Sequence, residues 1–319
     1  WNLPLYLFTW KIAPALAAGN CVVAKPSEIT PVTAYLLSTW VKEAGFPDGV
    51  FNIIHGLGTE VGDALVRHPK VAAVSFTGGT ATGAHIASVA APKFKKLSLE
   101  LGGKNAAVVF NDCDFEEALA TTIRSSFANQ GQICLCGSRI LVERSLYPKF
   151  RDALVEKTRN MQVGDPQDPS TKMGALVSKD HRDKILSYID IARQEGGKIL
   201  CGGTATTPKN APHLSNGYYV QPTIIEGLDF DSRVNMEEIF GPVVTIQPFE
   251  SDEEAVEIAN STEFGLAATV WTKDLKRAHN VAAALETGIV WVNCWLLRDL
   301  RTPFGGVKNS GVGREGGFE

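Results

Sequence analysis

The sequence predicts an α/β protein with doubly wound, parallel-rich sheets, and three observations carry that expectation. Short runs rich in valine, isoleucine and alanine alternate with helical stretches, and glycine turns sit where a strand would pass into a helix. The 319 residues are 44% hydrophobic, enough to fill the cores of about two domains.

Element by element, Asn20 to Lys25 reads as a buried strand. A helix follows, opened by Thr30 as N-cap with Pro31 behind it and closed by Gly45. Val50 to Ile54 is a second strand, Glu60 to Arg67 a helix and Val71 to Phe76 a third strand. Beyond Gly103 the alternation repeats as strand Ala106 to Phe110, helix Phe115 to Phe127, strand Ile140 to Val142 and helix Tyr147 to Asn160. The amphipathic stretches Lys179 to Gln194 and Asp252 to Asn260 read as surface helices, and Gly202 to Gly217 is the most linker-like segment. No internal repeat or low-complexity tract is present in the sequence.

Charge and cysteine usage narrow the function class. The 35 acidic and 31 basic residues give a net charge of -4 without long single-sign runs, so neither a nucleic-acid footprint nor a membrane-surface patch is expected. A small soluble substrate fits better. Cys21, Cys113, Cys134, Cys136, Cys201 and Cys294 are scattered through a chain too large to need stapling, which points to reduced thiols and a cytoplasmic setting. Cys134-x-Cys136 is not a C-x-x-C redox motif, and no second cysteine pair or H-x-x-x-H spacing completes a zinc site, so no metal is expected. No secretory signal or membrane-spanning run is visible.

Two segments carry chemistry. Phe127 to Arg139 sets Cys134 in a small-residue, amide-rich turn, downstream of Leu99-Glu100-Leu101-Gly102-Gly103. A thiolate adds to a carbonyl carbon and a carboxylate activates water, so the pair suits making and then hydrolysing a thioester. A lone cysteine would more often be an inert buried hydrophobe. Two glycine turns compete for a phosphate: Gly56-x-Gly58-x-x-x-Gly62 and Thr77-Gly78-Gly79-Thr80-Ala81-Thr82-Gly83. Either helix N-terminus attracts an anion, and neither turn matches G-x-G-x-x-G.

The runs G-Q-I-C and E-L-G-G-K-N, with Glu237-Glu238-Ile239-Phe240-Gly241-Pro242 and Pro303-Phe304-Gly305-Gly306-Val307-Lys308, appear in the order and spacing of the NAD(P)-dependent aldehyde dehydrogenases. The chain therefore resembles that family along essentially its whole length. The resemblance implies an aldehyde-dehydrogenase-like fold of two Rossmann-like α/β domains. Residues 1–102 would be part of the NAD-binding domain, and residues 103–319 the catalytic domain, its C-terminal segment returning toward the domain interface. The chain opens on Trp1-Asn2-Leu3-Pro4, a motif internal to the family, so the resemblance also implies truncation at both ends.

Roles follow from the same resemblance. Cys134 is the nucleophile, Glu100 the base that activates water, and Asn2 the side-chain donor that joins the Cys134 N–H in an oxyanion hole. The cofactor would be NAD, with Lys25 and Glu28 toward the adenosine ribose, Gly78 and Gly79 at the pyrophosphate, Glu238 on the nicotinamide ribose and Phe240 beside the nicotinamide. The resemblance thus chooses the second glycine turn, where Gly79 stands in place of the family's serine. A carboxylate at position 28 favours NAD over its 2'-phosphorylated form.

The segment Trp295-Leu296-Leu297-Arg298-Asp299-Leu300 is similar to the branch acting on 2-aminomuconic and 2-hydroxymuconic semialdehydes in tryptophan breakdown and related routes. Arg298, and Arg124 ten residues before Cys134, would then grip a substrate carboxylate. The intact parent would assemble as a homodimer or homotetramer. Three alternatives stay open: oxidation of retinal or another hydrophobic aldehyde, an inactive fragment acting only as a binding protein, and a cysteine hydrolase. For the last, none of His55, His68, His85, His181, His213 and His279 has a recognisable protease context.

Overall fold

A computed structural model describes residues 1–208 and 211–317, which fall into two compact units. The first comprises Trp1–Leu101, Leu300–Phe304 and the described residues from Gly311 on; the second comprises Gly102–Asp299 and Gly305–Ser310. Leu300–Phe304 and the residues from Gly311 on thus group with the first unit, where the sequence reading has residues 103–319 as one domain whose C-terminal segment returns toward the domain interface. Pairing explains this: Gly311–Val312 adds an antiparallel strand beside Leu99 and Glu100.

In the first unit, α1 (Pro4–Ala17) takes proline at its first turn, where a missing N–H costs nothing. It leads to β1 (Val22–Ala24), α2 (Val32–Glu43) and β2 (Phe51–Ile53), and the two strands pair in parallel. Val23 is about half exposed (49%) on this two-stranded sheet, so the first strand is not buried as expected. Thr30 is not the N-cap either. Pro31 occupies that position, its carbonyl accepts the Tyr35 N–H, and the buried Thr30 hydroxyl makes no hydrogen bond. Gly45 does close α2, at φ +80° with its N–H on the Lys42 carbonyl. A π-turn at Gly58–Gly62 runs into α3 (Asp63–Arg67), followed by β3 (Ala73–Thr77), α4 (Thr80–Ala90) and β4 (Lys96–Glu100), with β3 and β4 parallel.

The second unit is built on one sheet. β5 (Asn105–Val109), α5 (Phe115–Phe127), β6 (Gly137–Glu143), α6 (Tyr147–Arg159) and α7 (Lys179–Gln194) come first. They are followed by β7 (Lys198–Cys201), the hairpin β8 (Ala205–Thr206) with β9 (Tyr219–Val220), β10 (Thr223–Glu226), α8 (Arg233–Met236) and β11 (Val243–Phe249). The remaining elements are α9 (Asp252–Asn260), β12 (Phe264–Gly265), β13 (Ala267–Trp271), α10 (Leu275–Ala284), β14 (Ile289–Val292) and β15 (Val307–Lys308).

The sheet order is β14-β13-β5-β6-β11-β10-β7, parallel except for β7. Alternation along the strands assigns its two faces. Val109, Ile140, Val142 and Val244 pack against Leu119, Phe127, Phe150 and Leu154 of α5 and α6. Val108, Leu141 and Val270 pack against Ala255, Ala259 and Val281 of α9 and α10, while Ile225 and Val243 receive Ile185 and Ile189 of α7. The stretch read as the surface helix Lys179 to Gln194 therefore spends one face on the core. Asp114, Ser178 and Ser251 cap α5, α7 and α9 by accepting N–H bonds three residues on.

Candidate active site

The nucleophile candidate lies between α5 and β6, where the helix cannot continue. Asn129, Gln130 and Gly131 all adopt left-handed backbone, at φ 49°, 59° and 70°. Two non-glycine residues in that region store strain that only surrounding structure can hold. Part of the restraint is visible at Gly131, where a Cβ would meet the Gly241 carbonyl oxygen at 2.2 Å. The Gln132 side chain accepts the Val177 N–H at 3.1 Å. In the following turn the Cys136 N–H donates to the Ile133 carbonyl at 3.0 Å, which fixes the peptide plane that also carries the Cys134 N–H.

Cys134 is half-buried and in no disulfide. Cys136, two residues on, is buried, and burial pushes its thiol up to about 12, so it is not a second nucleophile. Asn105, first residue of β5, donates from Nδ2 to the carbonyls of Cys134 (2.7 Å) and Cys136 (2.9 Å) and accepts the Ala267 N–H on Oδ1 (3.0 Å). Arg139 is buried behind them, bonding the carbonyls of Lys104, Ile258 and Ala259.

The W-V-N-C-W-L-L-R segment reaches the same turn. The Trp295 indole N–H donates to the Leu135 carbonyl at 3.0 Å, one residue past Cys134, and the Trp291 indole N–H donates to the Leu297 carbonyl at 2.9 Å. Asn293 and Leu296 are left-handed, at φ 52° and 60°, so this loop too is strained. The Arg124 guanidinium stands 5.7 Å from the Trp295 ring centroid and approaches its carbonyl at 3.4 Å. Arg298 is half-buried three residues further along. The second unit thus brings Cys134, Arg124 and the segment carrying Arg298 together.

Glu238 and Phe240 form the third strip. Glu238 is held by burial, which raises its carboxyl, while Oε1 accepts the Gly103 N–H at 3.0 Å. A Cβ on Gly102 would stand 2.5 Å from Oε2, so the glycine pair is the cradle of this carboxylate. Phe240 is left-handed at φ 62°, and the His181 ring N–H donates to its carbonyl at 2.7 Å.

In the first unit, Glu100 ends β4 with its side chain buried, and its carbonyl accepts the Gly78 N–H at 3.0 Å. Gly79 is the extended N-cap residue of α4 and provides no side-chain cap; nothing lies within 4 Å of where its Cβ would be. No side chain caps the first N–H groups of that helix, which leaves them as donors of the kind that attract an anion. Lys25 Nζ bonds the carbonyls of Pro26 (2.7 Å) and Gly56 (3.2 Å) and pairs with Glu28 at 3.3 Å. Asn2 is half-buried just before α1.

The aldehyde dehydrogenase family model matches residues 1–319. The chain belongs to the aldehyde dehydrogenase family. It is 55% identical over 317 residues to the 2-aminomuconic semialdehyde dehydrogenase of Danio rerio, covering 99% of this chain and 65% of that protein. It is 52% identical over 319 residues to the 2-aminomuconic 6-semialdehyde dehydrogenase of Pseudomonas sp, covering 100% and 65%. Betaine aldehyde dehydrogenase from Staphylococcus aureus, solved in complex with NAD+, superposes with a TM-score of 0.97 at 44% identity, covering all of this chain and 63% of that one. The fold is that of an aldehyde dehydrogenase, and the chain spans less than two thirds of these relatives' length.

Within this family member, several participants are silent in the sequence. Asn105 and Trp295 lie in motifs the sequence displays, but they and His181 act through long-range bonds to backbone, which no spacing announces. Lys11 in α1 forms an ion pair with Glu315, whose Oε1 also accepts from Ser75 (3.2 Å) and Ser98 (3.4 Å). Ser98 lies two residues before Glu100 on β4 and so shares its face of the strand. Among the described residues no cluster of three or more metal-ligating side chains occurs, and no helix is long and apolar enough to cross a membrane.

Proposed function

We propose that this chain carries the oxidation of a carboxylated semialdehyde, of the 2-aminomuconate 6-semialdehyde type, to its acid with NAD. One observation carries the reading: the half-buried Cys134 thiol sits on a strained turn whose next carbonyl is bonded by Trp295, the residue that opens the arginine-bearing segment. Nucleophile and charge-selective segment are parts of one body.

In this reading Cys134 as thiolate adds to the aldehyde carbon. The alkoxide of the thiohemiacetal is met by the Cys134 N–H and the Asn2 amide, a donor of the kind worth about 3 kcal/mol of barrier. When bound, NAD accepts the hydride that leaves as the carbonyl re-forms. Cys134 then holds a thioester, and Glu100 takes a proton from the water that cleaves it, releasing acid and thiolate. Residues fit to hold the cofactor are present: the uncapped amides of α4 after Gly78 and Gly79 for the pyrophosphate, Lys25 and Glu28 for the adenosine ribose, and Glu238 with Phe240 for the nicotinamide end.

Arg298 is proposed to grip the substrate carboxylate, with Arg124 beside it, and the two relatives named for semialdehydes support that choice. None of the six cysteines is in a disulfide, which supports a reducing, cytoplasmic setting. Assembly as a homodimer or homotetramer belongs to the same proposal.

The test compares kcat/KM on a carboxylated semialdehyde and on retinal. Arg298→Ala is expected to raise KM for the carboxylated substrate by about tenfold to a hundredfold, the worth of a charge-assisted pair, and to leave retinal turnover unchanged. A preference for retinal that survives in Arg298→Ala removes the charge-recognition argument.

A further inference from the structure

We infer that Asn105 is a positioning residue whose side-chain amide locks the turn of Cys134, an inference that rests on the proposed role of Cys134 as nucleophile. Its pairing explains why a side chain is used at this point. The ladder between β5 and β6 shifts register at Asn105, which pairs with Gly137 while Ala106 pairs with Arg139. Such an irregularity leaves backbone groups that the ladder does not serve. At that point the Asn105 side chain bonds two carbonyls of the turn that precedes β6, those of Cys134 and Cys136, at 2.7 and 2.9 Å, and on the β13 side it accepts the Ala267 N–H, at 3.0 Å.

The bonding demands two donors and one acceptor from one short planar group, and an asparagine amide meets that demand. Aspartate would turn acceptors toward two carbonyl oxygens. Serine offers a single donor. Glutamine's extra methylene would move its amide away from the three partners that the shorter side chain meets, and glycine at 103 keeps clear the space beside Asn105 Oδ1, where a Cβ would stand at 2.9 Å. The same clamp encloses Cys136, whose thiol is buried and faces the Ala128 carbonyl at 3.9 Å. Tightness of the clamp is therefore readable as protection of the Cys136 thiol, independently of catalysis.

The test uses the full chain with Asn105→Ala, Asn105→Asp and, as the mildest change, Asn105→Ser. Thiols are labelled with iodoacetamide under native conditions and mapped by peptide mass, and kcat and KM are measured in parallel. Losing two neutral hydrogen bonds raises the open population of the turn by about tenfold to thirtyfold, so Cys136 labelling should accelerate by that factor. Labelling of Cys113 and Cys201, buried elsewhere in the same unit, should stay at the wild-type rate. Turnover should fall about a hundredfold in kcat with KM for NAD within about twofold, since misplacement acts on the reacting atoms.

Asn260→Ala is the control: its amide bonds the Ala284 carbonyl at 2.9 Å and the Glu286 N–H at 2.8 Å, away from the turn, and should lower the melting temperature without moving Cys136 labelling. Should Asn105→Ala or Asn105→Asp fail to fold, Asn105→Ser decides on the same readouts. Cys136 protection equal to wild type in the folded Asn105 variants, or acceleration shared by Cys113 and Cys201, overturns the inference. Wild-type chain without hydride transfer would refute the proposed function instead, and the labelling arm would still decide the clamp.

Discussion

Gly131→Ala is the sharpest test of the strained turn, because two independent costs meet there. The first is backbone conformation: φ is +70°, and an L-residue with a Cβ in that region costs about 1–2 kcal/mol. The second is contact. The new Cβ would lie 2.2 Å from the Gly241 oxygen, 2.5 Å from its carbon and 2.9 Å from Pro242 N, all backbone atoms. That backbone is itself held, since the Gly241 carbonyl accepts the Val243 N–H at 2.8 Å and the Pro242 carbonyl accepts the Thr223 N–H at 2.8 Å. Forcing such atoms apart typically costs about 1–3 kcal/mol, so the whole penalty is about 2–5 kcal/mol. For a unit of this size that corresponds to a melting temperature lower by about 5–15 °C. The assay is urea and thermal unfolding of Gly131→Ala beside Gly79→Ala, whose Cβ meets nothing within 4 Å and whose φ of −68° suits any residue. Gly79→Ala should be neutral or slightly stabilising. A Gly131→Ala loss below about 1 kcal/mol would refute the idea that the Gly241 backbone holds the turn.

The remaining expectations concern charge and thiols. Burial pushes the Lys104 ammonium down to about 7, with Arg139 and Lys184 adding and Glu238 and Glu237 opposing. Between about 7 and its ordinary value of 10.5 the unfolded chain then binds the extra proton, so this group makes stability rise with pH over that window. Lys104→Met should stabilise most below pH 7 and flatten that rise, as read from urea midpoints; an unchanged slope would count against it. Glu315→Gln strands the Lys11 ammonium and weakens the Ser75 and Ser98 contacts, with an expected loss of about 3 kcal/mol that Lys11→Met added to Glu315→Leu largely restores. Equal losses in single and double variants would show that the pair is not coupled. Under native alkylation Cys21 and Cys134 should react before Cys113, Cys136 and Cys201, which burial raises above the ordinary thiol value; early labelling of Cys136 would contradict its enclosure.

Local signals in the sequence carried the helices and the candidate nucleophile. The bounds of α5, α7 and α9 were legible because a capping side chain, a 3.6-residue apolar period and a polar face all lie within a few residues of one another. The motif around Cys134 was legible for the same reason. Thr30 misled because proline behind a threonine is the pattern of a capped helix, whereas the chain starts α2 one residue later and buries the hydroxyl. Exposure of Val23 was not readable, since a strand's burial is set by what packs on its sheet and not by its own residues. The bonding roles of Asn105 and Trp295, though both stand in quoted motifs, and the Lys11–Glu315 pair stayed unreadable, because their partners are 29 to 304 residues away.

The two substrate arginines separate on the same grounds. Arg124 is already engaged: its guanidinium covers the Trp295 ring and leans on that residue's carbonyl, while the indole of Trp295 holds the Leu135 carbonyl next to the nucleophile. A charge tied to an aromatic face supports that face before it serves a ligand. Changes at Arg124 are therefore expected to disturb the Trp295 support of the Cys134 turn, and with it kcat, as well as the proposed hold on the substrate carboxylate. Arg298 lies beyond the tryptophan in a loop shaped by the left-handed Leu296 and by the Trp291 bond to Leu297. Its replacement is therefore expected to test the proposed charge recognition while leaving the Trp295 bond to the Leu135 carbonyl in place. In the proposed reading, then, Trp295 supports the turn of the candidate nucleophile from one side, and the segment beyond it carries the charge that would meet the substrate.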